Sequence, residues 1–164
     1  MEMKKTAAVF LSLLLLLSGC QASEAVHDQT NGTTDEETAQ PSETEENKEM
    51  RMKIGSTEVQ VTWEENEAVD ALREIVKEAP LTVSMTMYGG FEQVGPLGVT
   101  LPSNDVDTVT DAGDIVLYNS NMMVVFYGTN SWPYTRLGHV ADKSAAEMSE
   151  LLSNGDVQIT LSFE

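Results

Sequence analysis

Aromatic residues and one arginine in the C-terminal part of the chain have the types and spacing of a ligand site. Tyr88 and Phe91 lie in a Gly-rich stretch, and Tyr127, Trp132, Tyr134 and Arg136 lie around a connection between predicted strands. Binding clefts combine aromatic rings with a few directed polar groups, and arginine offers a planar fork to a carboxylate or carbonyl. We therefore assign ligand binding to Tyr88, Phe91, Trp132, Tyr134 and Arg136. Core packing is the alternative role for Tyr127 and Tyr134.

The sequence offers no pattern for catalysis or for metal binding. The two histidines, His27 and His139, are far apart in sequence, so they do not form a paired zinc motif. Four aspartates within residues 105–114 raise the possibility of a calcium site. An EF-hand loop, however, needs an oxygen ligand at its fifth position and glycine at its sixth, and these positions hold Val109 and Thr110. A solvated acidic loop is the prediction there. No phosphate-binding loop or nucleophile elbow occurs, and we predict no catalytic residue, metal or cofactor.

The single cysteine, Cys20, follows a segment with the layout of a secretory signal. Two lysines precede an apolar run at residues 7–17, and Ser18 and Gly19 precede the cysteine. The run is shorter than the roughly 20 residues that a membrane-spanning helix needs. The sequence Leu-Ser-Gly-Cys resembles the lipobox of bacterial lipoproteins. The resemblance implies that the signal peptide, residues 1–19, is removed and that the sulfur of Cys20 carries a diacylglycerol.

A lipid at Cys20 would hold the protein at the extracytoplasmic face of a bacterial membrane, because buried acyl chains supply the binding free energy. The alternative is an ordinary signal peptide with a chance cysteine at its end. Residues 20–49 are then predicted to form a disordered tether, since residues 21–49 have a net charge of −8 and no aromatic residue. Repulsion between like charges would keep this tether extended. A cation-binding tail is the alternative role.

Residues 50–164 have the length of one domain. They carry seventeen acidic and six basic residues, a net charge of −11. Phosphate binding requires a basic surface, so the composition excludes a nucleic-acid partner.

In the first half of this domain, alternation over residues 52–63 predicts a hairpin that turns at Gly55. A helix is predicted from Asn66, its apolar residues spaced three and four apart, until Pro80 stops it. Residues 81–87 alternate as a strand.

In the second half, a Gly- and Pro-rich loop is predicted at residues 88–102. Strands are predicted at 114–118, 122–127, 134–140 and 157–163, and a helix with a capping box of Ser144 and Glu147 at 144–152. Residues 122–127 are apolar at every position, which predicts a strand covered on both faces. The fold class that follows is mainly β: a small closed or nearly closed β-barrel with two short α-helices.

Four blocks of this domain resemble, in order, the recurring blocks of the bacterial cyclophilin-like domain family: Leu101–Asn104, Gly113–Tyr118, Val124–Tyr127 and Tyr134–Val140. The resemblance extends over nearly all of residues 50–164 and implies a barrel capped by two helices. Most members of that family have no assigned activity. Cyclophilins that catalyse prolyl isomerisation carry a Phe-His-Arg block, which this sequence lacks. No catalytic residue is therefore carried over to this chain.

The expected function is that of a lipid-anchored binding module without catalytic activity. Its partners would be the membrane, through Cys20, and a peptide, small molecule or protein that the sequence does not identify. A divergent peptidyl-prolyl isomerase dependent on Arg136 is the enzyme alternative. A structural or assembly lipoprotein is the third class.

Overall fold

The computed structural model of the chain describes residues 49–163, which form a mainly β structure. Within them, ten strands and two helices follow in the order β1 (Met50–Ile54), β2 (Thr57–Val59), β3 (Val61–Trp63), α1 (Glu67–Glu78), β4 (Leu81–Tyr88), β5 (Glu92–Pro96), β6 (Val106–Thr110), β7 (Asp114–Tyr118), β8 (Met122–Phe126), β9 (Asn130–Val140), α2 (Ala145–Leu152) and β10 (Val157–Phe163). The predicted signal peptide, the lipid site at Cys20 and the tether up to residue 48 lie outside the described residues. Neither described helix has the length and apolar character needed to cross a bilayer.

Nine of the strands form a nearly closed antiparallel barrel, in the order β2-β1-β10-β4-β5-β8-β7-β9-β3. The two end strands, β2 and β3, are separated in the chain by Gln60 alone, which keeps the two ends of the sheet together. The tenth strand, β6, pairs only with the N-terminal part of β9, from Val106 opposite Tyr134 to Thr110 opposite Asn130. The predicted fold class, a small nearly closed β-barrel with two helices, is confirmed.

Helix α1 begins and ends where its sequence signals predict. The Asn66 side chain accepts a hydrogen bond from the Val69 backbone N–H at 3.0 Å, which caps the first turn. The same side chain donates to the Arg136 carbonyl oxygen at 2.9 Å and so fixes the helix start against β9. The apolar face of α1 is buried, with Leu72 fully enclosed in the barrel core.

Helix α2 has the predicted capping box. The Ser144 hydroxyl accepts from the Glu147 backbone N–H, and the Glu147 carboxylate accepts from the Ser144 N–H at 2.8 Å. The Ser144 hydroxyl also donates to the Glu147 carboxylate at 2.6 Å, and this hydrogen bond, followed by the one from the Ser144 N–H, lowers the pKa of the Glu147 carboxyl. Met148 and Leu152 of this helix are completely buried in the core.

Replacing Ser144 with alanine is expected to lower the free energy of unfolding by about 1 kcal/mol, the usual cost of losing an N-cap side chain. Urea denaturation of the two proteins measures the difference. Ser131→Ala, which removes a hydroxyl from an exposed position on β9, is the matched control. Equal losses in the two variants would contradict a capping role for Ser144.

Strand β8 is covered on both faces, as its uniformly apolar sequence predicts. Successive side chains of a strand point to opposite faces. Met123 and Val125 accordingly belong to the core inside the barrel, whereas Val124 and Phe126 belong to a second apolar cluster. This second cluster, on the outer face of the barrel, consists of Val116, Val124, Phe126 and Tyr134, with Phe91, Val94 and Tyr118 packed against it.

The predicted loop at residues 88–102 is wrong in one part, because β5 lies within it and pairs with both β4 and β8. The glycine that favoured a loop has a packing role instead. A Cβ atom at Gly95 would lie 2.6 Å from the Ser84 carbonyl oxygen, a clash with the backbone of β4. Gly95 therefore permits the close approach of two strands, which sequence alone does not distinguish from a turn.

The acidic stretch at residues 105–114 is also not simply a solvated loop. The whole of β6 lies within it, and the Asp114 side chain is only 9% exposed. Strand β9 begins at Asn130, four residues earlier than predicted, because β6 supplies it with a partner there.

Candidate functional site

A cavity of about 460 Å³ lies on the outer face of the barrel, over the second apolar cluster. Five strands line it: β4 with Tyr88, β5 with Glu92 and Val94, β7 with Tyr118, β8 with Val124, and β9 with Asn130, Trp132 and Tyr134. Neighbouring strands bring these residues together through their register. Glu92 of β5 lies opposite Tyr88 on one side and opposite Phe126 on the other.

Packed aromatic rings form the floor of the cavity. The Tyr134 ring meets Tyr118 at 6.2 Å between centroids and Phe126 at 5.8 Å, both in edge-to-face geometry. Asn130 Nδ2 donates a hydrogen bond to the Tyr134 phenol oxygen at 3.0 Å. These contacts hold the Tyr134 ring in place at the floor of the cavity.

The wall of the cavity comes from the first half of β9. Asn130, Trp132 and Tyr134 alternate along the strand, so their side chains point to the same side. Strand β6 pairs with this half of β9, and the Thr110 hydroxyl donates to the Asn130 carbonyl oxygen at 3.2 Å. Trp132 is 55% exposed and Tyr88 is 67% exposed. These two residues leave apolar surface open to solvent at the rim.

Glu92 is the unusual residue of the cavity, because a carboxyl group is rarely buried without a charged partner. The residue is 6% exposed, and its Oε2 atom is sealed from solvent without a hydrogen-bond partner among residues 49–163. Desolvation by this burial raises the pKa of the Glu92 carboxyl to about 7. Burial raises the pKa of Tyr134 as well, and the nearby charge of Glu92 adds to that effect.

The predicted site residues divide between the cavity and other places. Tyr88, Trp132 and Tyr134 line it. Phe91 packs against the edge of the second cluster, where its carbonyl oxygen accepts from the Tyr127 N–H at 2.9 Å. Arg136 does not line the cavity. The ligand-binding roles of all five residues remain predictions.

The guanidinium of Arg136 instead takes part in a polar cluster around Asp114. Arg136 Nη1 lies 3.1 Å from Asp114 Oδ2, and Nη2 donates to the Val109 carbonyl oxygen at 3.0 Å. His139 Nδ1 lies 2.9 Å from the other Asp114 oxygen, Oδ1, and the Asp111 N–H donates to Oδ2 at 3.0 Å. The cluster ties the start of β7 to the second half of β9.

Metal binding finds no support in the part of the chain that the structure describes. No three His, Cys, Asp or Glu side chains are grouped there so that they could hold an ion. A second cavity, of about 350 Å³, lies between the start of α1 and residues 102–104. None of its lining residues has a buried polar atom without a partner, which makes the aromatic cavity the better candidate site.

Sequence reasoning missed Glu92, Val94, Tyr118, Val124 and Asn130 as cavity residues. A signal exists for Asn130, which precedes Trp132 and Tyr134 at the two-residue spacing of one strand face. Nothing in the sequence separates Glu92 from the other acidic residues, because its burial depends on the pairing of β5 with β4 and β8.

A comparison with protein-family models agrees with this architecture. The family model described as the cyclophilin-like family matches residues 52–164. A search of curated proteins found no match, and neither did a search of solved structures.

Proposed function

The chain belongs to the cyclophilin-like family, and we propose that its domain is a non-catalytic binding module for a peptide or small ligand. The observation that carries the proposal is the aromatic cavity on the outer face of the barrel. Its floor is fixed by packed rings, and its rim exposes Trp132 and Tyr88. Ligand sites are typically concave and mostly apolar, with a small number of placed polar groups, and this cavity has that composition.

Binding is favoured over prolyl isomerisation by the position of the arginine. An isomerase of the cyclophilin type would need a guanidinium directed at the ligand beside the apolar pocket. Both terminal nitrogens of Arg136 already contact protein oxygens, one on Asp114 and one on Val109. No arginine lines the aromatic cavity.

We also propose that the module is held at the extracytoplasmic face of a bacterial membrane through lipid on Cys20. The support is the signal layout of residues 1–19 and the lipobox-like sequence that ends at this cysteine. Metabolic labelling with a radioactive fatty acid is expected to mark the wild-type chain and not Cys20→Ser. The variant should leave the membrane fraction, and a variant that remained labelled would contradict the proposal.

The binding role can be tested by nitrogen-15 NMR on the full chain in a non-ionic detergent. The chain has two tryptophans, so it gives two indole N–H signals. Trp132 lies in the cavity, whereas the Trp63 indole donates to the Met50 carbonyl oxygen at 2.8 Å and serves as an internal control. On titration with a short X-Pro peptide, we expect the Trp132 signal to shift and the Trp63 signal to stay.

The same spectra record cis/trans exchange of the peptide. Uncatalysed exchange takes tens of seconds or longer, and we expect the protein to leave that rate unchanged. Accelerated exchange would make the protein an isomerase. Absence of any shift would remove X-Pro peptides as ligands.

A further inference from the structure

Among residues 49–163, no positively charged side chain compensates the buried carboxyl of Glu92. Burial of an ionised group is costly unless an opposite charge or hydrogen-bond donors compensate it. No lysine, arginine or histidine is among the residues that line the cavity, and Glu92 Oε2 has no hydrogen-bond partner in the described part of the chain. When Glu92 is ionised, a cationic ligand in the cavity would supply the missing positive charge.

The aromatic rings around this carboxyl suit a positively charged ligand for a second reason. Four of the eight lining residues are Tyr88, Tyr118, Trp132 and Tyr134. The face of an aromatic ring attracts ammonium and guanidinium groups, and tryptophan does so most strongly. Trp132 is exposed at the rim, where an entering ligand would meet it first.

The charge of the whole domain acts in the same direction. Residues 50–164 carry a net charge of −11, and a field of this sign concentrates cations at the surface. A simple metal ion does not fit the cavity, because hard metal ions need several oxygen ligands and Glu92 is the one carboxyl group among its lining residues. An organic cation needs only one carboxylate and an apolar enclosure.

We infer that the cavity binds an organic cation, a protonated amine or guanidinium, with Glu92 as its counter-ion and the aromatic rings around its charged end. This inference rests on the proposed function, since it names the ligand class of the same cavity. The cation could be a free amine or the side chain of a basic residue in a peptide. The chemistry of recognition is the same for both.

Binding of this kind depends on pH through Glu92. The titratable groups that face it are the phenols of Tyr88 on β4, Tyr118 on β7 and Tyr134 on β9, whereas β8 presents Val124 and Phe126. Phenols stay neutral at and below about pH 8. Because burial raises the pKa of Glu92 to about 7, affinity for a cation is expected to rise roughly thirtyfold between about pH 5.5 and pH 8.

The experiment uses two pairs of probes and follows the Trp132 indole signal of the full chain in non-ionic detergent. Pentylamine is compared with 1-pentanol, and the peptide acetyl-Gly-Lys-Gly-amide with acetyl-Gly-norleucine-Gly-amide. At about pH 8, we expect at least one cationic probe to bind about tenfold or more tightly than its neutral counterpart. The first pair reports on free amines and the second on peptide side chains.

Two variants identify the group responsible. Glu92→Gln should abolish both the preference for the cation and its pH dependence. Glu67→Gln removes a carboxylate that lines the second cavity instead, and it should bind the cation as the wild type does. An unshifted Trp63 signal shows that each variant is folded.

The outcomes separate this inference from the proposed function. Equal binding of charged and neutral probes, or a preference that survives Glu92→Gln, would overturn the cation inference and leave the binding module in place. Binding of X-Pro peptides without binding of either cation would also overturn the cation inference and leave the binding module in place. If none of these probes moved the Trp132 signal, both the cation inference and the peptide-binding proposal would fall.

Discussion

Replacing Glu92 with glutamine is expected to raise the free energy of unfolding by about 3 kcal/mol at pH 8 and to leave it nearly unchanged at pH 4. The pKa of Glu92 is about 7 in the folded protein, against an ordinary value of 4.5. Between these values the folded state keeps a proton that the unfolded state has released. Ionisation of Glu92 therefore lowers stability progressively as pH rises from about 4.5 through 7, and glutamine removes this loss.

Urea denaturation at about pH 4, 6 and 8 measures the effect. Glu150→Gln is the matched control, because Glu150 is an exposed residue of α2. A surface change of this kind should alter stability by less than about 0.5 kcal/mol at every pH. Two results would contradict the burial of an uncompensated carboxyl: a lower free energy of unfolding for Glu92→Gln at pH 8, or an increase at pH 4 as large as that at pH 8.

Replacing Asp114 with alanine is expected to lower the free energy of unfolding by about 3 kcal/mol. Removing one partner of a buried ion pair costs about 3 to 5 kcal/mol. We expect the lower end because the side chains of Arg136 and His139 are 37% and 49% exposed. Water can therefore replace part of the interaction that each loses with Asp114. The Asp111 N–H loses its acceptor in the same change.

Asp107→Ala serves as the control, since Asp107 is an exposed carboxylate on the neighbouring strand β6. Its effect on urea denaturation should stay below about 0.5 kcal/mol. Similar losses in the two variants would show that the Asp114 cluster does not hold β7 to β9. Arg136→Met distinguishes a structural arginine from a ligand-binding one: we expect lower stability with an unchanged response of the Trp132 indole signal.

The main core and both helices could be predicted from sequence because their signals are local. Alternation of apolar and polar residues predicts strands at 81–87 and 157–163, and both strands occur in the structure. The predicted helix caps at Asn66 and Ser144 occur as well. Strand β5 could not be predicted in the same way. Its glycine and proline are typical of loops, and only the space between β4 and β8 shows that a strand fits there.

The candidate site was harder to predict from sequence than the fold, because its residues are brought together by strands that are distant in the chain. Trp132 and Tyr134 share a strand face, so their spacing indicates that they lie together. Glu92 lines the same cavity from β5, which is separated from β9 by β8 and β7 in the barrel. Arg136 has the residue type of a ligand contact, yet Asp114 is the partner that its guanidinium meets. Residue type alone does not reveal such a partner.

Alternate residues of β8 belong to two different apolar clusters, which affects which sequence changes the protein can accept during evolution. Met123 and Val125 fill the barrel, while Val124 and Phe126 support the outer cavity. Substitutions at the second pair can reshape the cavity in descendants of this chain while the interior stays intact. Insertion of a single residue in β8 is a different event, because it would exchange the two faces. Selection should therefore tolerate changes of side chain in this strand far more readily than changes of its length.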